Sequence, residues 1–301
     1  MFGGIADFRI DLPSWLDVEE DRRKASRLIG LIGTLSTKDL VAEVFRQRPG
    51  WSESDIERRT RGILEGPTRF TRELDGWLRP ATTGRLPFLD LGCGAGPLLA
   101  AAARLGRSAV GIDVSLEWLV VARQLILDAG GRPNLAAALG EALPLADQSV
   151  GGVVSLDVIE HVDEQDAYLR QIGRVLAVGG VAAIATPNRY SLSAEPHVSI
   201  WGVGWLPRAW QERYVRLRGG KSYAHCRLLS VVELRRMLRT SAGLEPRILL
   251  GEVSQEEIAG FQAIKAWLAK VYNRLLLIRP ARAALIWVCP FFRTLATKGR
   301  A

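Results

Sequence analysis

The sequence predicts an α/β protein with a doubly wound, mostly parallel Rossmann-like sheet, an N-terminal helical cap and a C-terminal helical extension. Two patterns predict this fold. Short apolar runs alternate with helical runs from residue 88 onward, as expected for parallel strands joined by crossover helices. A glycine-rich segment also lies where the first of these strands passes into a helix.

The first 80 residues are predicted to form helices. Ser14 precedes one amphipathic run, Thr37 begins a second, and Ser54 with Glu57 forms a capping box ahead of a third. The Pro-, Gly- and Thr-rich run 80–87 punctuates the chain just before an apolar strand. The predicted units are a cap over residues 1–80, a central domain over 81–252 and a basic amphipathic helical tail over 253–301.

The central domain is predicted to alternate strands and helices. Each predicted strand is a short apolar run, and each predicted helix follows a turn or capping residue. The strands are expected at 88–91, 109–113, 135–138, 150–156 and 180–186, and the helices at 97–105, 116–129 and 164–176, with a further helix capped by Ser230 and Glu233 before a last strand-like run.

Composition indicates a globular protein of a reducing compartment. The three cysteines, Cys93, Cys226 and Cys289, are too few and too scattered for a disulfide framework or a zinc cluster, so no metal site is expected. The N-terminus carries acidic residues where a signal peptide needs basic ones. We therefore expect a cytoplasmic protein.

Much of the formal charge of +8 comes from the C-terminal part of the chain. Residues 253–301 hold eight Lys and Arg against two Glu, mixed with Trp267, Trp287 and a run of leucines. Two interpretations remain open: a packed helical tail with a solvated basic face, or a helix in peripheral contact with an anionic membrane. Arg279 and Pro280 interrupt the apolar stretch, so no transmembrane helix is expected.

The strongest functional signal is a glycine-rich turn between the first strand and its helix. Gly92, Gly94 and Gly96 alternate with other residues directly before Pro97. Glycine permits the backbone angles of a tight turn and lets a ligand lie against the main chain at a helix N-terminus. A dinucleotide fingerprint needs its third glycine one residue later, which argues against a dehydrogenase.

Two acidic residues flank this turn. Asp90 stands inside the apolar strand, where a carboxylate suits a cationic ligand group such as an amino-acid ammonium. Asp113 ends the next strand, at the same edge of a parallel sheet, where a carboxylate can accept both hydroxyls of a ribose.

These residues resemble the class I S-adenosylmethionine-dependent methyltransferases, in particular the small-molecule group with a D-x-G-x-G-x-G loop. The resemblance covers about residues 81–250 and implies S-adenosylmethionine as the cofactor. Leu139 stands where the family usually has an aspartate, and Val150 with Gly151 where it usually has a Phe-Asp pair, so adenine recognition is expected to fall to Glu141 or the backbone. The implied cofactor-binding residues are Asp90, Gly92, Cys93, Gly94, Gly96, Asp113, Val114, Glu141, Ala142, Leu143 and Leu156.

Two of the three histidines lie in segments expected at the carboxyl edge of the sheet. His161 follows the fourth strand and, with Glu160, matches the family, in which this histidine often lies near the transferred methyl group. His197 lies in a long aromatic loop, residues 186–207, after the fifth strand. A hydroxyl acceptor must lose its proton, a role that suits histidine. His161 and His197 are therefore the candidate catalytic bases, and a structural role is the alternative for each.

The predicted function is methyl transfer to a small molecule, preferably to a hydroxyl oxygen of a saccharide, a lipid-linked intermediate or a quinone-like compound. Nine Lys and Arg between residues 208 and 239 favour an anionic acceptor. The alternatives are an RNA methyltransferase, an NAD-dependent dehydrogenase and a non-catalytic cofactor-binding scaffold. No nucleic-acid partner is expected, because the sequence shows no RNA-binding module and no Asn/Asp-Pro-Pro-aromatic motif.

Overall fold

The computed structural model describes residues 1–10, 16–48, 50–78, 86–220, 222–253 and 255–299. Over these residues the chain forms a mostly parallel sheet with helices on both faces, which confirms the predicted α/β fold. The strands are β1 (Ala6–Asp7), β2 (Phe88–Leu91), β3 (Ala109–Asp113), β4 (Leu135–Ala137), β5 (Val150–Leu156), β6 (Leu176–Pro187), β7 (Glu245–Leu249) and β8 (Phe291–Thr297). The helices are α1 (Val18–Leu31), α2 (Thr37–Arg46), α3 (Glu53–Leu78), α4 (Pro97–Arg104), α5 (Leu116–Asp128), α6 (Gln165–Val175), α7 (Arg208–Leu217), α8 (Val231–Thr240), α9 (Gln255–Ala259), α10 (Ala263–Leu276) and α11 (Arg279–Val288).

The strand order in the sheet is β1-β4-β3-β2-β5-β6-β8-β7. Neighbours from β1 to β6 run parallel, whereas β8 runs antiparallel to both β6 and β7. The order reverses at β2, which pairs with β3 on one side and with β5 on the other. In open α/β sheets ligands bind at such a switch point, beyond the carboxyl ends of the strands.

Alternate residues of the central strands pack into two different hydrophobic cores, one on each face of the sheet. Leu89 and Val153 pack with α6 and α8 on one face, while Phe88 and Val154 pack with α3 and α4 on the other. Helices α1 and α2 share a further apolar core with α5. The N-terminal helices are thus packed on the sheet's own helices, and burial of this apolar surface fixes their position relative to the glycine-rich turn.

The predicted strands and helices of the central region are found with small shifts at their ends. Strand β6 begins at Leu176, four residues earlier than predicted, because α6 ends at Val175 and the chain turns directly into the sheet. The capping box predicted at the start of α8 is confirmed: the Ser230 side chain accepts from the Glu233 backbone, and the Glu233 side chain accepts from the Ser230 backbone.

One predicted capping box is wrong. Helix α3 begins at Glu53, and its capping side chain is Ser52, whose Oγ accepts from the Asp55 backbone N–H at 3.2 Å. Ser54, the predicted cap, already lies in the first turn, where its hydroxyl cannot reach an unpaired N–H ahead of it. Two other predictions, the helix signal at Ser14 and the boundary near residue 80, lie outside the described residues.

The C-terminal extension is helical over α9, α10 and α11, as predicted, but it ends in a strand that the sequence pattern did not predict. Strand β8 lies inside the sheet, between β6 and β7. Its alternate residues Phe292, Thr294 and Ala296 are buried. Removal of residues 253–301 would therefore take an internal strand from the sheet and expose the apolar surface that it covers.

Candidate functional site

The glycine-rich turn joins β2 to α4 at the switch point of the sheet. Gly92, Gly94 and Gly96 all have positive φ, which only glycine adopts readily. A Cβ at Gly92 would lie 2.3 Å from Val158, and one at Gly96 would lie 2.8 Å from the Ala122 Cβ, so both positions also need the space. A Cβ at Gly94 would meet no described atom within 4 Å. The turn therefore leaves open space against its backbone at Gly94.

Asp113 closes this turn from the neighbouring strand. Its carboxylate accepts from the Gly94 backbone N–H at 2.8 Å and from the Ser115 N–H at 2.9 Å. Burial raises the pKa of Asp113, and these backbone donors oppose the rise. Each carboxylate oxygen keeps a further lone pair. The geometry thus fits a carboxylate that fixes the turn and still accepts from a ligand's hydroxyls.

Asp90 is buried in β2 beside this carboxylate. The structure gives its side chain no hydrogen bond to any described residue, and burial together with the charge of Asp113 raises the pKa of Asp90 to about 8. A buried carboxylate is costly unless a partner compensates it. An ammonium group of a ligand would supply that partner and favour the ionised form.

The remaining residues predicted for the cofactor site lie around the same edge. Cys93 is buried, and its N–H donates to the Ile112 carbonyl at 3.1 Å, while the Val114 carbonyl accepts from Arg9 at 3.0 Å. Glu141 is half-buried, burial raises its pKa, and Ala142 is exposed. The Leu143 carbonyl accepts from Arg174 at 2.9 Å, which fixes this loop to α6. Leu156 ends β5 and is half-buried.

A buried carboxylate from the N-terminal helices supports the Asp113 side of the site. Asp21 accepts from the Leu116 N–H at 2.9 Å and from the Ser115 hydroxyl at 3.0 Å, so it caps the start of α5. It also pairs with Arg9 at 2.6 Å, whose side chain is fully buried. Because Ser115 in turn donates to Asp113, Asp21 positions the carboxylate that closes the glycine turn.

The two candidate catalytic histidines lie in direct contact. Their rings meet edge to face with centroids 4.7 Å apart. His161 belongs to a short 3₁₀ turn, residues 159–161, that follows β5, and Val158 just before it packs on Gly92. His197 reaches the same place from the loop after β6. The structure thus brings both predicted bases to the switch point, beside the glycine-rich turn.

Carboxylates and a thiol surround this pair. His197 Nδ1 lies 2.5 Å from Glu195 Oε1 and 3.5 Å from Cys226 Sγ. Glu160 is buried: its Oε2 accepts from the Thr186 hydroxyl at 2.9 Å, and its Oε1 has no described partner and lies 3.9 Å from His197 Nε2. Asp157 keeps φ at 54°, an uncommon angle for a residue with a side chain and one that concentrates at functional sites.

The groups around the two imidazoles shift their pKa values in opposite directions. Burial and the nearby charge of His197 lower the pKa of His161, whereas the hydrogen bonds to Cys226 and Glu195 raise the pKa of His197 to about 10. At neutral pH His161 is then a neutral base, and His197 is a cation paired with Glu195. Titratable groups with separated pKa values are what acid–base chemistry at one site requires.

The same cluster contains metal-binding atoms. One donor atom each from His161, His197 and Cys226 lies within 4.8 Å of the others. Nitrogen and sulfur donors of this kind suit a transition metal such as zinc. The absence of a metal site, expected from the sequence, stays a prediction that metal analysis of the purified protein can check.

The sequence of this edge matches a known family model. Residues 89–184, which contain the glycine turn, Asp113 and the segment that carries His161, match the model described as "Methyltransferase domain". This part of the chain is similar to the class I S-adenosylmethionine-dependent methyltransferases. The matched residues lie over β2 to β6, the parallel part of the sheet whose carboxyl edge carries both the glycine turn and the histidine pair.

The relatives that this chain matches include ubiquinone biosynthesis O-methyltransferases. Those of Chelativorans sp. (strain BNC1) and Parvibaculum lavamentivorans (strain DS-1 / DSM 13023 / NCIMB 13966) are 36% and 35% identical over 126 residues, which is 41% of this chain. The alignment covers 49% of each relative, so the chain spans about half the length of the curated relatives that it matches.

A solved structure of Haemonchus contortus phosphoethanolamine N-methyltransferase 2 in complex with S-adenosyl-L-methionine has the same fold. The TM-score is 0.52 at 20% identity, over 89% of this chain and 61% of that chain. At this level of identity the likeness concerns the fold.

The site fits S-adenosylmethionine, the cofactor that this similarity implies, in three respects. The open space at Gly94 admits a ligand against the backbone. Asp90 is a buried carboxylate that lacks a described partner, which suits the ammonium of the methionine part. Asp113 offers lone pairs to the ribose hydroxyls.

We expect Asp21→Asn to weaken S-adenosylmethionine binding by about 10-fold and to lower the free energy of unfolding by about 2 kcal/mol. The change removes charged acceptors from the start of α5 and one partner of buried Arg9, and hydrogen bonds to a charged group contribute roughly 1.5–3 kcal/mol. Calorimetric titration and urea unfolding measure the two effects.

Asp17→Ala is the matched control, since Asp17 caps the N-terminus of the same helix, α1, from an exposed position. It should cost about 1 kcal/mol of stability without changing cofactor affinity. Equal cofactor affinities of wild-type protein and Asp21→Asn would contradict the positioning role.

Three site residues were missed by the sequence analysis. Asp21, Cys226 and Tyr223 reach the site from segments distant in sequence, and Tyr223 is buried with Cys226 and Glu195 as hydrogen-bond partners. No spacing pattern marks them. Only Cys226 carried a usable signal, because it directly follows a histidine in a chain with few of either residue.

Proposed function

We propose that this chain transfers the methyl group of S-adenosylmethionine to a hydroxyl oxygen of a small, quinone-like acceptor. The observation that carries the proposal is the neutral His161 beside the glycine turn, in contact with the charged His197. The names of the relatives, ubiquinone biosynthesis O-methyltransferases, support a hydroxyl oxygen on a quinone-like ring as the acceptor.

His161 accepts the hydroxyl proton in this mechanism. A hydrogen bond with the His225 backbone orients its ring. Bound S-adenosylmethionine would supply an electrophilic methyl group to the acceptor oxygen and leave as S-adenosylhomocysteine, whose sulfur keeps the electron pair of the broken carbon–sulfur bond. The chain's contribution is to hold oxygen and methyl in line at short range.

His197 stabilises the negative charge that develops on the acceptor oxygen. Glu195 fixes its ring, and the Glu195 carboxylate is itself held by the backbone N–H groups of His197 and Val198 at 2.8 and 2.9 Å. A preorganised cation of this kind stabilises an oxyanion without reorganisation during the reaction. The basic residues between 208 and 239 favour an acceptor that carries negative charge or a lipid-linked anionic group.

A methyl-transfer assay tests the proposal. We expect purified protein to convert S-adenosylmethionine to S-adenosylhomocysteine with a water-soluble catechol or hydroquinone as acceptor, and mass spectrometry to show one added methyl on oxygen. Dialysis against a chelator should leave the rate unchanged if His161 is the base. A rate lost on dialysis and restored by zinc would overturn the general-base assignment, and S-adenosylmethionine binding without turnover of any hydroxylated acceptor would favour a scaffold.

A further inference from the structure

Exposed aromatic residues gather on the loop that carries His197. The side chains of Trp201 and Trp205 are 62% and 49% exposed, although each indole N–H is bonded to the backbone, to Leu192 at 3.1 Å and to Ser191 at 3.0 Å. The rings therefore point outward from a fixed backbone.

The end of α11 continues this surface. The Leu192 N–H donates to the Val288 carbonyl at 3.2 Å, which joins the loop to α11 directly beside Trp287, whose side chain is 50% exposed. We call the exposed residues Leu192, Trp201, Trp205, Trp287 and Phe291 the aromatic rim. Phe291 pairs in register with Pro187, the last residue of β6. The rim thus lies at the carboxyl edge of the sheet, the edge that carries the candidate catalytic histidines.

Helices α10 and α11 extend the apolar surface away from the rim. They belong to an excursion of the chain, the segment that connects the end of β7 to the start of β8. Both of these strand ends lie at the carboxyl edge of the sheet, as the rim does. Ile264, Trp267 and Leu277 are strongly exposed, and α11 has no fully buried residue. Exposed apolar side chains that gather in one region mark an interaction site, whereas single ones are normal on a protein surface.

The charge of this excursion has one sign. From Ile258 to the end of the chain the sequence has no Asp or Glu, and α10 and α11 carry Lys265, Lys270, Arg274, Arg279 and Arg282. Tryptophan and leucine mixed with Lys and Arg suit the interface of an anionic bilayer. A protein–protein interface is usually depleted in Lys. No helix among the described residues is long and apolar enough to cross a bilayer.

We propose that the aromatic rim and the α10–α11 hairpin form one surface that lies on an anionic lipid bilayer, and that the acceptor enters the site from the lipid phase. The second part rests on the proposed function. A Lys or Arg near an anionic membrane contributes roughly 1 kcal/mol, and each large apolar side chain that becomes buried adds about 1.5–3 kcal/mol. The two sources together bind the protein to the surface while the sheet stays in water.

Cosedimentation with vesicles tests the surface. Full-length protein should pellet with vesicles of phosphatidylcholine and phosphatidylglycerol at low salt, and much less with phosphatidylcholine alone or at high salt. The double variant Ile264→Ser, Trp267→Ser should partition at least about 10-fold more weakly, because it removes two exposed apolar side chains. Truncation is unsuitable, since it removes β8.

The matched control is Leu105→Ser, Leu127→Ser. Both leucines are exposed. Leu105 directly follows α4 and Leu127 lies in the last turn of α5, so both lie at the opposite, amino edge of the sheet. This variant should bind vesicles like wild type, and both variants should bind S-adenosylmethionine normally, which shows that they are folded. Wild-type protein that stays in the supernatant, or equal binding by both double variants, overturns the proposal. A wild-type dimer that the Ile264→Ser, Trp267→Ser variant converts to monomer, without vesicle binding, assigns the surface to self-association instead.

Acceptor delivery is tested separately from binding. With a hydroquinone carrying a long alkyl chain in anionic vesicles, the Ile264→Ser, Trp267→Ser variant should show a KM raised about 10-fold, while its kinetics on a water-soluble hydroquinone stay unchanged. Equal KM values on the vesicle-borne acceptor overturn the delivery step. Vesicle binding is measured without any acceptor, so failure of methyl transfer would overturn the proposed function and leave the surface standing.

Discussion

Replacement of Asp113 by alanine is expected to weaken S-adenosylmethionine binding by at least about 100-fold, which corresponds to about 2.7 kcal/mol. The carboxylate accepts from the Gly94 and Ser115 N–H groups, and its remaining lone pairs would accept from the ribose hydroxyls of the cofactor. Each such bond to a charged group contributes roughly 1.5–3 kcal/mol, and the loss of the first two also frees the glycine turn. Calorimetric titration with S-adenosylmethionine and S-adenosylhomocysteine measures the change.

The control for this experiment is Asp55→Ala, which removes an exposed carboxylate from the first turn of α3. It should leave both affinities unchanged. NADH should not bind wild-type protein, because the third glycine of the turn stands one residue earlier than a dinucleotide-binding fingerprint requires. Undiminished binding by a folded Asp113→Ala variant, or preference for NADH, would show that the glycine turn has been wrongly interpreted.

Replacement of His161 by asparagine is expected to lower kcat by about 10²- to 10⁴-fold, the usual contribution of general base catalysis. Cofactor affinity should stay the same, since the ring does not belong to the glycine turn or to Asp113. The matched control is His225→Asn, which changes an exposed side chain and keeps the backbone that contacts the His161 ring. A His161→Asn variant with near wild-type kcat would contradict the assignment.

The pH profile separates the roles of the two histidines. Because the pKa of His161 is lowered, the ring stays neutral at pH 7 and is protonated only below its ordinary value of 6.5, so kcat/KM should fall at acidic pH. Because the pKa of His197 is raised to about 10, its charge should persist until the pH approaches that value, and kcat/KM should fall again there. His197→Asn should abolish the basic limb and keep the acidic one. If His197→Asn lost the acidic limb instead, His197 would be the base and His161 the cationic group.

Local patterns were sufficient to predict the glycine-rich turn and the two carboxylates that lie beside it. Asp90, the three glycines and Asp113 lie within 24 residues of one another, and each position is dictated by a single strand, turn or helix start. The period of the apolar residues predicted the strands that hold them, because a buried strand and a crossover helix need different periods. The same reasoning failed at Ser54, because Ser52 lies only two residues away and offers nearly the same capping signal.

The sequence by itself thus determined the α/β fold, the glycine turn, the flanking carboxylates and the two histidines as candidates. The tertiary structure decided that His161 and His197 meet, that Glu195 and Cys226 raise the pKa of one while burial lowers that of the other, and that β8 completes the sheet. It also decided that Asp21 lies against the start of α5 and positions Ser115, which donates to Asp113. These features depend on contacts between distant segments, whose energies come from burial and from the distances between charges, and neither is encoded in the spacing of residues along the chain.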